Sequence, residues 1–144
     1  MALILPLGGK TPKVGPGVFL APTAVLIGDV EIGEGANVWY HCVLRGDTNT
    51  IRVGPRSNIQ DGTIVHVNAG RQCTVIGADV TVGHAAIVHA CTLMDRAFVG
   101  MGATVLDDAV IEDSIARLVA VWEGAEAPEG IAAFFEKRKP GWQS

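Results

Sequence analysis

Residues 14–44 read VGPGVFLAPTAVLIGDVEIGEGANVWYHCVL, and a large aliphatic residue returns at every sixth position of this stretch. With two interruptions and one shift of register, the period continues to Ile111 and gives sixteen such positions: Val14, Leu20, Leu26, Ile32, Val38, Leu44, Val53, Ile59, Val65, Ile76, Val82, Val88, Leu93, Val99, Val105 and Ile111. Four residues after each comes a second set, mostly small or β-branched: Val18, Ala24, Val30, Ala36, Cys42, Thr48, Ser57, Thr63, Ala69, Val80, Ala86, Thr92, Ala97, Ala103, Ala109 and Ile115. Such regularity indicates an internal repeat.

A period of six fits neither the 3.6-residue period of a helix nor the simple alternation of a long strand. It fits a short strand with an inward aliphatic residue, followed by a tight corner where the small residue packs inward. Three such faces make one 18-residue coil, and the coils stack about 4.8 Å apart. We expect the glycine after the aliphatic residue to help the chain turn at Gly33, Gly54, Gly77, Gly83 and Gly100. The pattern predicts an all-β solenoid, a parallel β-helix of hexapeptide repeats, but does not give its handedness.

The repeat predicts a β-helix domain over residues 1–115 and a divergent C-terminal segment over residues 116–144. The polar breaks near residues 49–52 and 68–74 are expected to be loops that leave a corner. Pro128 could open a short helix through residue 139, with Ile131, Phe134 and Phe135 as its buried stripe. A solenoid needs covered ends, so this helix is expected to cap it.

Composition limits the classes of partner. The formal net charge of −4 argues against nucleic acid or an anionic membrane as a partner, and no run of 18 apolar residues is present. Three cysteines, an odd number without paired spacing, point to a reducing compartment, which we interpret as the cytoplasm.

The position of each polar residue within the six-residue repeat predicts where it lies on the solenoid. We name the face of Val65 face A, that of Val53 face B and that of Ile59 face C. His66 and His89 each follow an inward residue of face A, one coil apart, so they share an outward column that also holds Arg45. Two imidazoles separated by one strand spacing can reach a common metal at about 2.0–2.1 Å.

His84 lies on a corner of face C, stacked on Asp61, so one chain cannot bring it to the column of His66 and His89. A neighbouring copy could supply it, and repetition around a three-fold axis would give a homotrimer with three His₃ sites. Three histidines plus water is the pattern of a catalytic zinc. His41 has no partner column and receives no role.

Other residues allow an ordinary structural reading. Arg45 and Asp47 can be a surface ion pair, and Gln60 with Asp61 can cap a corner. The cysteines have no ligand spacing, and Trp39 with Tyr40 suits interface packing.

Five stretches resemble the γ-class carbonic anhydrase family: VLIGDVEI (25–32), LRGD (44–47), NIQDGTIVH (58–66), VTVGHAAIVH (80–89) and VGMGA (99–103). The resemblance covers roughly residues 14–113 and implies a left-handed parallel β-helix of hexapeptide repeats with a short C-terminal helix. It implies His66, His84 and His89 as metal ligands, with His84 contributed by the neighbouring subunit.

The resemblance also implies roles for the nearby polar residues. Gln60 matches the glutamine beside the metal-bound water, Arg45 and Asp47 match an interface pair, and Asp61 matches a second interface carboxylate, with Asn58 nearby. It implies hydration of carbon dioxide to bicarbonate by a metal-bound hydroxide. Zinc is the expected metal, and Fe²⁺ or Co²⁺ fits the same imidazoles.

The sequence departs from the family where proton transfer is concerned. Thr48 follows Asp47, and residues 68–74 (NAGRQCT) contain no acid, so the glutamates that shuttle protons in the best-studied branch are absent. Beyond residue 115 the match to the family ends. Two rivals to a carbonic anhydrase therefore stay open: a weak or inactive metal-binding trimer that serves as a scaffold or binding subunit, and a hexapeptide acyltransferase.

Overall fold

The computed structural model describes residues 1–70 and 72–143. Contacts divide the chain into two compact units, Met1–Asp113 and Ser114–Ser144. The strands of the first unit, in chain order, are β1 Leu3–Leu5, β2 Lys13–Val14, β3 Phe19–Leu20, β4 Val25–Ile32, β5 Asn37–Val38, β6 Val43–Val53, β7 Asn58–Ile59, β8 Ile64–His66, β9 Thr74–Ile76, β10 Thr81–Val82, β11 Ile87–His89, β12 Thr92–Leu93, β13 Phe98–Val99, β14 Thr104–Val105 and β15 Val110–Ile111.

The strands pair in parallel and form the predicted solenoid. Face C is the five-stranded sheet β13-β10-β7-β5-β3, with one strand from each of five coils. Faces A and B belong to one ten-stranded sheet because β4 and β6 each run over both of them. The first part of β6 pairs with β8 on face A, and its last residues pair with β9 on face B.

The inward aliphatic positions form the core. Thirteen of the sixteen are buried, and the three others, Val14, Leu20 and Ile111, lie in the coils at the two ends of the solenoid. The six-residue repeat therefore encodes the core directly: each aliphatic residue stacks on its counterpart in the next coil, as Leu44 does on Val65.

One of the two predicted loops is a strand. Residues 49–52 belong to β6, which continues without a break to Val53. Gly28 of β4 pairs with Gly46 of β6, but the next pair is Val30 with Ile51. Between these two pairs β6 therefore carries three more residues than β4. This insertion leaves Thr48 exposed, contrary to the predicted inward position, and Ile51 is buried instead.

The second predicted loop, over residues 68–74, lies between β8 and β9, and its Arg71 is outside the described residues. Thr74 already begins β9 and is buried, whereas Ala69, predicted to point inward, is exposed. Because extra residues lie between β8 and β9, the inward position again comes later in the chain than the repeat predicts.

Four of the five glycines after the aliphatic residues allow close packing of coils, and Gly100, which has open space, is the exception. A Cβ on Gly54 would lie 2.4 Å from the carbonyl group of Gly77, and one on Gly83 would lie 2.6 Å from the amide nitrogen of Met101. Neither glycine has a left-handed backbone. The turn itself is made one residue before the small inward residue, where His41 has φ 60° and Ala85 has φ 56°. Our expectation that these glycines help the chain turn was therefore wrong.

The second unit contains α1 (Ser114–Glu123), α2 (Glu126–Phe135) and a 3₁₀ turn (Gly141–Gln143). There are thus two short helices where the sequence predicted one. Helix α2 begins two residues before Pro128, which occupies the first turn, where its missing N–H needs no partner. It ends before Lys137, whose φ is 53°.

The predicted buried stripe of this helix was wrong. Phe134 is 80% exposed, Phe135 is 77% exposed and Ile131 is 42% exposed, whereas Ala133 is buried. Arg138 forms a two-pronged ion pair with Glu129 (2.6 and 2.9 Å). This pair and the Gly141 amide lower the pKa of Glu129 to about 2. No helix in the described residues is both long and apolar enough to cross a membrane.

Candidate metal centre

The predicted column of face A is present. Arg45 pairs with His66 across β6 and β8, and His66 pairs with His89 across β8 and β11. Each of the three follows a fully buried aliphatic residue, and alternation along a strand therefore turns its side chain outward. The backbone register alone brings the two imidazoles to neighbouring positions on the surface.

The two rings face each other through one nitrogen each. His66 Nδ1 lies 3.1 Å from His89 Nε2, and the ring centroids are 5.1 Å apart. A tetrahedral metal with Zn–N bonds of about 2.0–2.1 Å separates two ligand nitrogens by about 3.3–3.4 Å. The observed separation is within a few tenths of an ångström of that edge, so this pair of imidazoles fits two positions of a tetrahedral site.

Asp47 fixes the outer nitrogen of His66. Its Oδ1 lies 3.0 Å from His66 Nε2, and its Oδ2 pairs with Arg45 Nη1. Burial by itself would raise the pKa of Asp47, but the hydrogen bond with His66 and the charge of Arg45 outweigh it and lower the pKa. The carboxylate thus stays an acceptor and leaves His66 Nδ1 as the nitrogen that faces His89.

Asp107 holds the outer nitrogen of His89 and was not predicted. Its Oδ1 lies 2.5 Å from His89 Nδ1, and its Oδ2 accepts a hydrogen bond of 2.6 Å from Asn68 Nδ2. These two hydrogen bonds, that of Asn68 first, lower the pKa of Asp107. The sequence could have indicated that Asp107 lies near His89. Asp107 comes two residues after Val105, which pairs with Val88 in the register of face A.

The remaining predicted residues gather on face C. His84 Nδ1 lies 3.0 Å from Asp61 Oδ2, as the predicted stacking of these two residues requires, and the His84 side chain is 51% exposed. Asp61 Oδ1 also accepts a hydrogen bond of 3.2 Å from the Tyr40 amide. Gln60 precedes Asp61 and is half-buried. Asn58 donates to Asn37, its register partner in β5.

The site residues therefore form two groups. The first, on face A, contains Arg45, Asp47, His66, His89, Asn68 and Asp107; the second, on face C, contains Asn58, Gln60, Asp61 and His84. Among residues 1–70 and 72–143 of the single chain, no three His, Cys, Asp or Glu side chains converge to hold a metal. His66, His84 and His89 each have one ring nitrogen beside a carboxylate. The second ring nitrogen of each remains for another contact.

The fold and its repeats define the class of the protein as a parallel β-helix of hexapeptide repeats. The family model described as bacterial transferase hexapeptide (six repeats) matches residues 11–46. The crystal structure of a hexapeptide transferase family protein from Anaplasma phagocytophilum is 36% identical, with a TM-score of 0.67 over 76% of this chain and 75% of that chain. A putative acetyltransferase from Bacillus cereus is 31% identical, with a TM-score of 0.67 over 77% and 74%.

The chain belongs to the hexapeptide-repeat family. Among its curated relatives, gamma carbonic anhydrase 2, mitochondrial, from Arabidopsis thaliana is 56% identical over 108 residues, which are 72% of this chain and 39% of that protein. The resemblance to γ-class carbonic anhydrases is thereby confirmed. The chain spans less than half the length of this Arabidopsis relative.

Proposed function

We propose that the protein catalyses the reversible hydration of carbon dioxide at a metal site between subunits of a homotrimer. His66 and His89 of one copy would bind the metal together with His84 of a neighbouring copy. The observation that carries this proposal is the pair of facing nitrogens, His66 Nδ1 and His89 Nε2, 3.1 Å apart on adjacent coils. The similarity to relatives named carbonic anhydrases supports the choice of reaction.

The donor set favours zinc. Three neutral imidazoles with one open position are typical of catalytic zinc, and Fe²⁺ or Co²⁺ accepts the same ligands. A divalent metal bound there supplies a water of lowered pKa as the nucleophile for carbon dioxide.

The protein groups around the ligands have distinct tasks. Asp47 orients His66 through its contact with Nε2, and Asp61 lies 3.0 Å from His84 Nδ1, where it would orient that ring. Arg45 holds Asp47 in place. Gln60, whose side chain makes no hydrogen bond within the described residues, is free to orient the substrate or the attacking water. Asn58 supports this corner through its hydrogen bond to Asn37.

The surface beside the histidine column supports assembly. Ile64 is 39% exposed and Ile87 is 42% exposed, and they lie side by side in β8 and β11. Trp39 and Tyr40, next to the group on face C, are exposed as well. Aliphatic and aromatic side chains that flank polar site residues are typical of a subunit interface. We propose that a second copy covers them.

Two other functions follow from specific observations. Residues 68–74 contain no acid that could relay protons, which favours a metal-binding trimer that is a scaffold or binding subunit. The similarity to a structure titled putative acetyltransferase favours acyl transfer. The predicted cytoplasmic location stays a prediction: three free thiols suit any reducing compartment, and the name of the Arabidopsis relative is mitochondrial.

Stopped-flow hydration of carbon dioxide by zinc-loaded protein tests the proposal. The wild type should exceed the buffer rate, His89→Ala should lose both metal and activity, and Gln60→Ala should keep the metal but lose most of the activity. A zinc-loaded wild type without activity would support the scaffold. Acetyl transfer from acetyl-CoA by metal-free protein would support the acyltransferase and contradict our proposal.

A further inference from the structure

We propose that Asp107, anchored by Asn68, is a positioning residue that fixes which nitrogen His89 presents to the metal. The inference rests on the metal site proposed above, and it assigns a role to two residues outside the set that the sequence pointed to. It concerns the orientation and tautomer of one ligand. Asp107 makes no contact with the reacting atoms in this account.

The position of Asp107 favours one tautomer of His89. A carboxylate oxygen 2.5 Å from His89 Nδ1 is placed to accept a hydrogen bond from that nitrogen, which favours the tautomer with its proton on Nδ1. In that tautomer the lone pair lies on His89 Nε2. Nε2 is also the nitrogen that faces His66. The carboxylate therefore prepares the nitrogen that a shared metal would need.

Asn68 makes the position of the carboxylate specific. It follows β8, whereas Asp107 follows β14, so their contact of 2.6 Å spans the coil that carries His89. With Oδ2 held by Asn68 and Oδ1 directed at His89, both oxygens of Asp107 are engaged. Two partners define the rotamer of the carboxylate, and an oriented carboxylate fixes the imidazole ring in turn.

A carboxylate also contacts each of the other two predicted ligands. Asp47 lies against His66 and Asp61 against His84, each at 3.0 Å. Without Asp107, His89 would be the one histidine of the three that lacked a carboxylate partner among the described residues. The chain thus pairs each predicted ligand with its own carboxylate, which is the usual arrangement around histidines that bind metals.

The substitution Asp107→Asn gives a sharp test. Asn68 Nδ2 would still donate to the side-chain oxygen at residue 107, and this turns the new amide nitrogen toward His89 Nδ1. His89 Nδ1 must then accept, and its proton moves to Nε2. We expect Zn²⁺ affinity, measured by competition with a chromogenic chelator, to fall about 10- to 100-fold. Long-range ¹H–¹⁵N spectra of the metal-free chain should show the change of tautomer at His89.

The controls separate this inference from the metal site itself. Asp79→Asn removes one carboxylate at another corner, where Asp79 pairs with Arg56, and should leave Zn²⁺ affinity and the His89 tautomer unchanged. Asn68→Ala removes only the anchor and should weaken Zn²⁺ binding less than Asp107→Asn does.

His89→Ala shows which idea has failed. If it binds Zn²⁺ as tightly as the wild type, the metal site is wrong. If His89→Ala loses Zn²⁺ but Asp107→Asn keeps wild-type affinity or the wild-type tautomer, the site stands and the role of Asp107 is refuted. If Asp107→Asn does not fold, Asn68→Ala decides: unchanged Zn²⁺ affinity refutes the anchor.

Discussion

Mixing two inactive variants should restore metal sites if each site is shared between copies. His84→Ala and His89→Ala each remove one of the three proposed ligands, so a trimer of either variant alone has no complete site. In a mixed trimer, a site is complete when a His84→Ala copy supplies His66 and His89 and its neighbour, a His89→Ala copy, supplies His84. With equal amounts and random assembly, about one quarter of the interfaces meet this condition.

The structure is the basis for this fraction. His66 and His89 are register partners on face A, whereas His84 lies on face C against Asp61. The assay is chelator-resistant zinc per subunit after the two variants are unfolded and refolded together, with carbon dioxide hydration as a second readout. About one quarter of the wild-type zinc content is expected.

A second mixture provides the matched control. His66→Ala and His89→Ala damage the same half of the site, so no combination of these copies completes one, and zinc should stay at background. The reasoning is refuted if both mixtures bind equal amounts of zinc, which would show that copies do not complete one another's sites, or if His84→Ala alone retains the wild-type zinc content, which would show that His84 is not a ligand.

Two further predictions concern the fold. Gly54→Ala should lower the free energy of unfolding by about 1–3 kcal/mol in a urea titration, because the new Cβ would lie 2.4 Å from the next coil. Gly100→Ala is the control and should be nearly neutral, because there is open space at that position. Equal effects of the two substitutions would contradict the close packing of coils at Gly54. Cys91 is fully buried, and burial raises its pKa to about 11, so at pH 8 only about one thiol in a thousand is ionised. In the native protein it should resist a thiol reagent that modifies the partly exposed Cys73, and equally fast labelling of both would refute this.

The repeat was enough to predict the core and the histidine column. Each hexad has one large aliphatic inward position, so the period also predicts the strand register, and the pairing of His66 with His89 follows from that register. The insertion in β6 was harder to interpret. Its polar residues look like a loop, but the strand continues through them, because backbone pairing with β4 and β9 resumes at Ile51.

Two other features needed the structure. Asp107 lies on the fifth coil, and only the path of the chain shows that it meets both His89 and Asn68. Helix α1 was missed although Ile115, Leu118 and Trp122 have helical spacing. In α2 the apolar stripe was visible in the sequence, but periodicity does not determine which face of a helix is covered, and the structure exposes Phe134 and Phe135.

Native mass spectrometry of the zinc-loaded protein tests the central claim most directly, namely that the metal lies between copies of this chain. We predict a trimer of 15.1 kDa chains that carries three zinc ions, and a His84→Ala variant that carries none. A monomer that binds zinc with all three histidines intact, or a His84→Ala protein with one zinc per chain, would contradict the shared site.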